Sequence, residues 1–272
     1  MYDITDFNCD AGAYAFREFP QTTIAEVVAD LSRRGIGRCL LGSTRAITFC
    51  SPQPANELLA EEGPNGAGAP SGPGPDTGDA AAGMPPLLAA VLNPEYPGAE
   101  RDLERCAELG FRALKLYPTY HAFDLAGYES VRLADMATEL GWPVLVAVRV
   151  EDERHHHPLM KVPALPVDQA ITFARDVPRA KVVLCSAGAG EITAFLQGVS
   201  GEQAYAEISY VKNPLNAIED LVGKVGSERL LFGSHAPFAY AHTALAKVRE
   251  AYISDTDKAA ILGGNARNIL GS

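Results

Sequence analysis

Val144-Leu145-Val146-Ala147-Val148 and Val182-Val183-Leu184-Cys185 are almost continuously apolar, rich in valine, and too short to be helices. A strand of this kind is covered on both faces, as in a parallel sheet packed between other layers. Outward from these two runs the same theme repeats. Strand-like segments are expected near 4–8, 38–42, 87–92, 113–117, 144–148, 181–185, 205–210 and 230–233. Helical patterns fall between them at 24–34, 99–109, 129–140, 167–175, 192–197, 215–222 and 240–251. Gly35, Gly110 and Gly141 follow three of these patterns, where a left-handed residue would end a helix. Ser254-Asp255-Thr256-Asp257 has the spacing of a capping box, with Asp in place of the usual Glu or Gln. Strands alternating with helices predict a parallel, eight-stranded (β/α)8 TIM barrel. A doubly wound sheet would alternate too, but no G-x-G-x-x-G follows the first strand.

The chain reads as one barrel domain over 1–272. A single segment, 63–86, departs in composition: it is rich in Gly and Pro and holds no aromatic residue. Such a stretch buries too little apolar surface to offset its ordering entropy, so it is expected to be a flexible insertion. The net charge of −11 argues against nucleic acid or an anionic membrane as partner and favours a small-molecule substrate. Homo-oligomerisation is left open. The five cysteines form no C-x-x-C pair, which fits reduced thiols in a cytoplasmic protein. No basic-then-apolar leader or membrane-spanning run is seen, so a cytoplasmic location is expected.

In a barrel the chemistry sits where strands run into the following loops. Those positions hold Asp6-Phe7-Asn8-Cys9-Asp10-Ala11-Gly12, Tyr117-Pro118-Thr119-Tyr120-His121, Arg149 to Pro158, Cys185-Ser186-Ala187-Gly188 and Phe232-Gly233-Ser234-His235-Ala236-Pro237. Together with the closing Asn265-Ala266-Arg267-Asn268-Ile269-Leu270, their order resembles the amidohydrolase-2 branch of the amidohydrolase superfamily. Members of that branch begin D-x-H-x-H-x-G and finish F-G-S-D-x-P. The resemblance implies a metal-assisted hydrolase or a related lyase. It also implies that the family's metal ligands fall here on Asn8, Asp10, Ala147, Ser186 and His235, all of them changed. A binuclear metal centre is therefore not expected, while a single divalent ion on Asp10 and His235 stays open. Asn8, Gly12, Phe16 and Arg17 also match a divergent subgroup pattern, N-x-x-x-G-x-x-x-F-R.

Asp10 and His235 are the first candidates for catalysis. Strands 1 and 8 adjoin in a closed barrel, and a carboxylate beside an imidazole fixes its tautomer. His121, on the loop after strand 4, is the third. Arg154 could hold a substrate carboxylate in a two-pronged contact, with Asn8, Ser186 and Arg17 as further substrate-binding candidates. The run His155-His156-His157 is a weaker metal candidate, since adjacent residues rarely converge on one ion. The sequence thus predicts an amidohydrolase-like hydrolase, or a related lyase, acting on a small carboxylated substrate. Two alternatives stand beside it: a ligand- or partner-binding barrel that has lost its metal site, and a mononuclear metal hydrolase.

Overall fold

A computed structural model describes residues 2–63, 85–212 and 214–271. The expectation of a loose insertion at 63–86 falls almost wholly on residues outside these. Eight parallel strands follow one another around the sheet in chain order. They are β1 (Thr5–Ala11), β2 (Arg38–Ser43), β3 (Leu87–Val91), β4 (Ala113–Leu116), β5 (Val144–Ala147), β6 (Val182–Cys185), β7 (Ala204–Glu207) and β8 (Leu230–Leu231). Backbone hydrogen bonds from Phe7 N to Phe232 O (2.9 Å), His235 N to Asn8 O (2.7 Å) and Asp10 N to Ala236 O (2.8 Å) join β1 to β8 and its continuation. The result is the (β/α)8 barrel expected from the sequence.

The layer around the barrel is built from α1 (Ile24–Arg33), α2 (Gln53–Glu62), α3 (Ala99–Glu108), α4 (Tyr128–Glu139), α5 (Val167–Asp176), α6 (Ala189–Gly198), α7 (Ala217–Val225) and α8 (Ala241–Arg249). Several of their ends are set locally. At α1, Thr23 accepts from Glu26 N (3.2 Å) and Glu26 answers with its carboxylate on Thr23 N (3.0 Å). That reciprocal box satisfies two otherwise unpaired donors, and Ile24, Val27 and Leu31 then lie buried on one face. Gly35, Gly110 and Gly141 take positive φ, so the expected left-handed helix ends are formed. The sequence pattern does not predict helix α2. Its apolar residues lack a strong helical stripe, and its first turn holds a proline that reads as a breaker, although proline is tolerated there.

Two layers inside the barrel position the site. Phe7, Leu40, Ala89, Ala113, Leu145, Val183 and Leu231 form an apolar plug, backed by Ala266 and Ile269 from the C-terminal helix. Side chains alternate along a strand, so two residues further on the chain again points inward. There Val91, Ala147 and Cys185 remain apolar, while Gly42, Lys115, Glu207 and Gly233 stand on the other strands. The inner barrel is oily at its N-terminal end and admits charged side chains towards its C-terminal mouth. Strand β1 contributes through an irregularity in its register between Asp6 and Cys9.

Candidate functional site

Two groups of buried side chains face each other across this layer. The first centres on Lys115, which is 2 % exposed. Its ammonium donates to Asp10 Oδ1 at 2.8 Å, and Tyr117 Oη donates to the same oxygen at 3.3 Å. Burial works against the charge on Lys115, but the Asp10 carboxylate outweighs it and holds the ammonium above its ordinary pKa. Gly42 makes this pair sterically feasible, since a Cβ there would lie 2.5 Å from Asp10 Oδ1 and 3.2 Å from Lys115 Cδ.

The second group joins β1, β6, β7 and β8. Glu207, fully buried, accepts from Ser186 N (2.5 Å), Ser209 N (2.6 Å), Ser209 Oγ (2.9 Å) and Asn8 Nδ2 (3.0 Å). The carboxylate dictates the orientation of Asn8: the amide must turn its NH2 inward, leaving Asn8 Oδ1 without a partner. Asn8 Nδ2 also lies 3.3 Å from Ser186 Oγ and 3.4 Å from His235 Nδ1. Ser186 Oγ is itself 3.4 Å from His235 Nδ1. The other ring nitrogen, Nε2, meets Val150 O at 2.5 Å. A carbonyl can only accept, so Nε2 carries the hydrogen and Nδ1 presents a lone pair. Burial pushes the His235 pKa down, which keeps the ring neutral.

The backbone around this group is under constraint. Ser186 and His235 both adopt positive φ, +56° and +57°, and Ala122 is the one other non-glycine residue to do so among those described. Such conformations cost on the order of 1–3 kcal/mol each and persist only where the surroundings hold them in place.

An aromatic cover lies above. Phe238 stacks on the His235 ring with centroids 5.1 Å apart, and Tyr14 and Phe19 each meet Phe238 edge-on at 5.0 Å. The Arg17 guanidinium sits 4.7 Å over Phe19, donates to Phe238 O (3.2 Å) and lies 3.4 Å from Glu151. His235 is consequently only 5 % exposed.

The structure brings Asn8, Ser186 and His235 together and sets Asp10 beside them in the same layer. Asp10 and His235, expected to meet directly or through one water, make their hydrogen bonds to other partners. Lys115 reaches across from β4 and takes the carboxylate, while the ring of His235 turns to the Val150 carbonyl. His121 stands apart, with Nε2 on Ala46 O at 2.9 Å. Arg154 points outward, and its two-pronged contact is made with Asp152 at 2.9 Å through each nitrogen rather than with anything in the mouth. Arg17 belongs to the cover. Sequence reasoning missed Lys115 and Glu207, although a charge inside Ala113-Leu114-Lys115-Leu116 or Ala204-Tyr205-Ala206-Glu207 is a readable signal in a strand buried on both faces. Among the described residues, no three His, Cys, Asp or Glu side chains converge as metal ligands would. No helix among them is long and apolar enough to cross a membrane.

Asp6 lies behind the site, fully buried, with Oδ1 accepting from Ser234 N (2.9 Å) and Asn8 N (3.2 Å). Burial pushes its pKa up from 3.8 to about 7. The folded protein therefore holds a proton that the unfolded chain releases. Asp6's contribution to stability is full below pH 4 and is lost as pH rises towards 7, by roughly 4 kcal/mol in all. Denaturant titrations at several pH values should show this fall, and Asp6→Asn, which keeps the acceptor oxygen, should flatten it. An unchanged profile would contradict the assignment.

Residues 76–272 match the family model Amidohydro_2, described as amidohydrolase. A search of curated protein sequences found no match. Among solved structures, 5-carboxyvanillate decarboxylase from Sphingomonas paucimobilis superposes with a TM-score of 0.71 at 15% identity, covering 100% of this chain and 99% of that one. The 2,6-dihydroxybenzoate decarboxylase from Rhizobium gives 0.70 at 14% identity, with coverages of 100% and 99%. A probable 2-pyrone-4,6-dicarboxylic acid hydrolase from Acinetobacter baumannii gives 0.67 at 12%, covering 99% and 100%. At these identities the structural likeness carries the fold alone. The family match spans most of the sequence, and the chain belongs to the Amidohydro_2 family of amidohydrolases.

Proposed function

We propose that this protein is a hydrolase of small carboxylated esters, lactones or amides, acting at the C-terminal mouth of its barrel without a metal ion. The observation that carries this reading is His235: a buried, neutral imidazole whose tautomer is fixed by the Val150 carbonyl, with the basic Nδ1 turned towards Ser186 and Asn8. A base so held can take a proton from a nucleophile and return it to a leaving group. Lys115 supplies a permanent positive charge in the same layer. Its ammonium donates to one carboxylate oxygen of Asp10 and lies beside the Tyr117 hydroxyl, and a remaining N–H group can hold a substrate carboxylate or a developing oxyanion. The names of the structural relatives, two aromatic acid decarboxylases and a dicarboxylic acid hydrolase, support a carboxylated substrate.

The metal that the family resemblance implies does not fit these residues. Position 147 is alanine, Asn8 turns its NH2 inward to Glu207, and the Nε2 of His235 is protonated towards a backbone carbonyl. The donors left are Asn8 Oδ1, Asp10 Oδ2 and the His235 Nδ1 lone pair, and among the described residues no three His, Cys, Asp or Glu side chains converge on one point. Asp10 Oδ2 belongs to a carboxylate already 2.8 Å from an ammonium. A divalent ion needs three or more protein donors at such a site, and a fixed cation beside it repels it.

A panel of small esters, lactones and amides, each with and without a carboxylate, tests the reading. Turnover of carboxylated members and weak turnover of their uncharged counterparts is the expected result. Saturable binding with no turnover would instead support a non-catalytic barrel. Release of CO2 from aromatic acids would support a lyase, in which His235 hands its proton to carbon.

A further inference from the structure

We propose that Ser186 is a covalent nucleophile, forming an acyl-enzyme on its Oγ with His235 as the base. This deepens the hydrolytic reading above and rests on it. Three independent features converge on Ser186. Its Oγ lies 3.4 Å from His235 Nδ1, the ring nitrogen that the Val150 contact leaves unprotonated. Asn8 Nδ2, fixed by Glu207, approaches both atoms and orients them.

The second feature is the backbone. Ser186 sits at φ +56°, a conformation that L residues avoid, and is clamped at both ends of its main chain. Glu207 accepts its N–H at 2.5 Å, and Arg149 donates to its carbonyl at 2.8 Å while paired with Glu191. His235, across the 3.4 Å gap, is held at φ +57°. Two strained residues facing each other suggest a pair selected for the placement of its side chains. Third, the clamps act on backbone atoms alone. Alanine at 186 would satisfy those clamps equally, while the hydroxyl, on a residue 1 % exposed, is turned to Asn8 Nδ2 and His235 Nδ1.

The chemistry balances without any external reagent except water. The Oγ proton passes to His235 Nδ1 as the Oγ–C bond forms at the substrate carbonyl. The bond from that carbon to its alkoxy or amino leaving group then breaks, and the leaving group takes the proton from Nδ1. Water next attacks the acyl carbon, yielding a proton to Nδ1. The Oγ–C bond breaks, the carboxylic acid product departs, and Ser186 regains its proton. The substrate class is therefore an activated carboxylic acid derivative, with ester and lactone favoured over amide because their leaving groups are better.

An alkyl fluorophosphonate, which phosphonylates activated serines, tests the proposal on the full-length protein by intact mass and peptide mapping. One equivalent on Ser186 is expected. Labelling should be absent in Ser186→Ala and slowed at least ~100-fold in His235→Gln. Thermal unfolding of both variants checks that they remain folded. No adduct, under conditions that label a known serine hydrolase, overturns the proposal, as does an adduct on any other residue. If the ester panel is hydrolysed while no adduct forms and Ser186→Ala keeps its rate, water is the nucleophile: the hydrolytic reading stands and this proposal falls.

Discussion

Replacing Lys115 by methionine is expected to destabilise the protein by about 3–5 kcal/mol, because it strands the Asp10 carboxylate in the barrel interior. Methionine nearly matches the lysine stem in length, so the lost volume is small and the effect reports the charge. Asp10 would keep the Tyr117 hydroxyl as donor, but its Oδ2 already lacks a partner. For a chain of this size the change corresponds to a fall in Tm of about 6–15 °C. The double variant Asp10→Asn with Lys115→Met should recover most of the loss, since a neutral pair carries no unpaired buried charge. Denaturant unfolding of both variants and the parent decides the matter. A Lys115→Met protein as stable as the parent would show that the pair is solvated and that the interior charge does not exist.

The largest functional effect is expected at His235. His235→Gln keeps a donor for the Val150 carbonyl and removes the basic nitrogen, so kcat/KM on any accepted substrate should fall by ~10²–10⁴-fold with the fold intact. The pH dependence should change with it. The active form is the neutral ring, and burial pushes its pKa below the ordinary 6.5. Activity of the parent should rise with pH through that lowered pKa and be level at neutral pH. The variant should lose this limb. A variant retaining full activity would remove His235 from the chemistry and return the mouth to a binding role.

Much of the fold is written openly in the chain. The runs at 144–148 and 182–185 became β5 and β6 with ends within a residue of expectation, since apolar strands covered on both faces leave little choice of secondary structure. The strand expected at 230–233 is shorter, Leu230–Leu231, because the chain leaves the ladder to reach the strained turn that carries His235. The first strand is longer than expected and carries Asp10 within it.

The site was legible in part. Ser186 and His235 could be placed because each lies just beyond a strand read from its apolar run, and Asn8 because it closes the first expected strand. Their partners could not. Lys115 meets Asp10 by reaching across the interior from β4, a strand not adjacent to β1. Glu207 can approach the backbone of Ser186 only because Gly233 leaves room on the neighbouring strand. Such meetings depend on side-chain length and on the absence of a Cβ elsewhere, neither of which a one-dimensional pattern records. Arg154 shows the opposite failure. A charge on a loop at the mouth looked suited to a substrate, but an aspartate two residues away satisfies it locally.

On the proposed reading, this barrel mouth works through a fixed ammonium and a neutral imidazole in place of a metal. The most direct test of that reading is the hydrolysis rate on an accepted carboxylated ester or lactone, measured before and after exhaustive chelation and again after adding zinc, manganese or iron. Rates that agree within about twofold across all three conditions are predicted, since the proposed chemistry routes no step through a metal ion. Loss of activity on chelation, restored by one equivalent of a divalent ion, would contradict it.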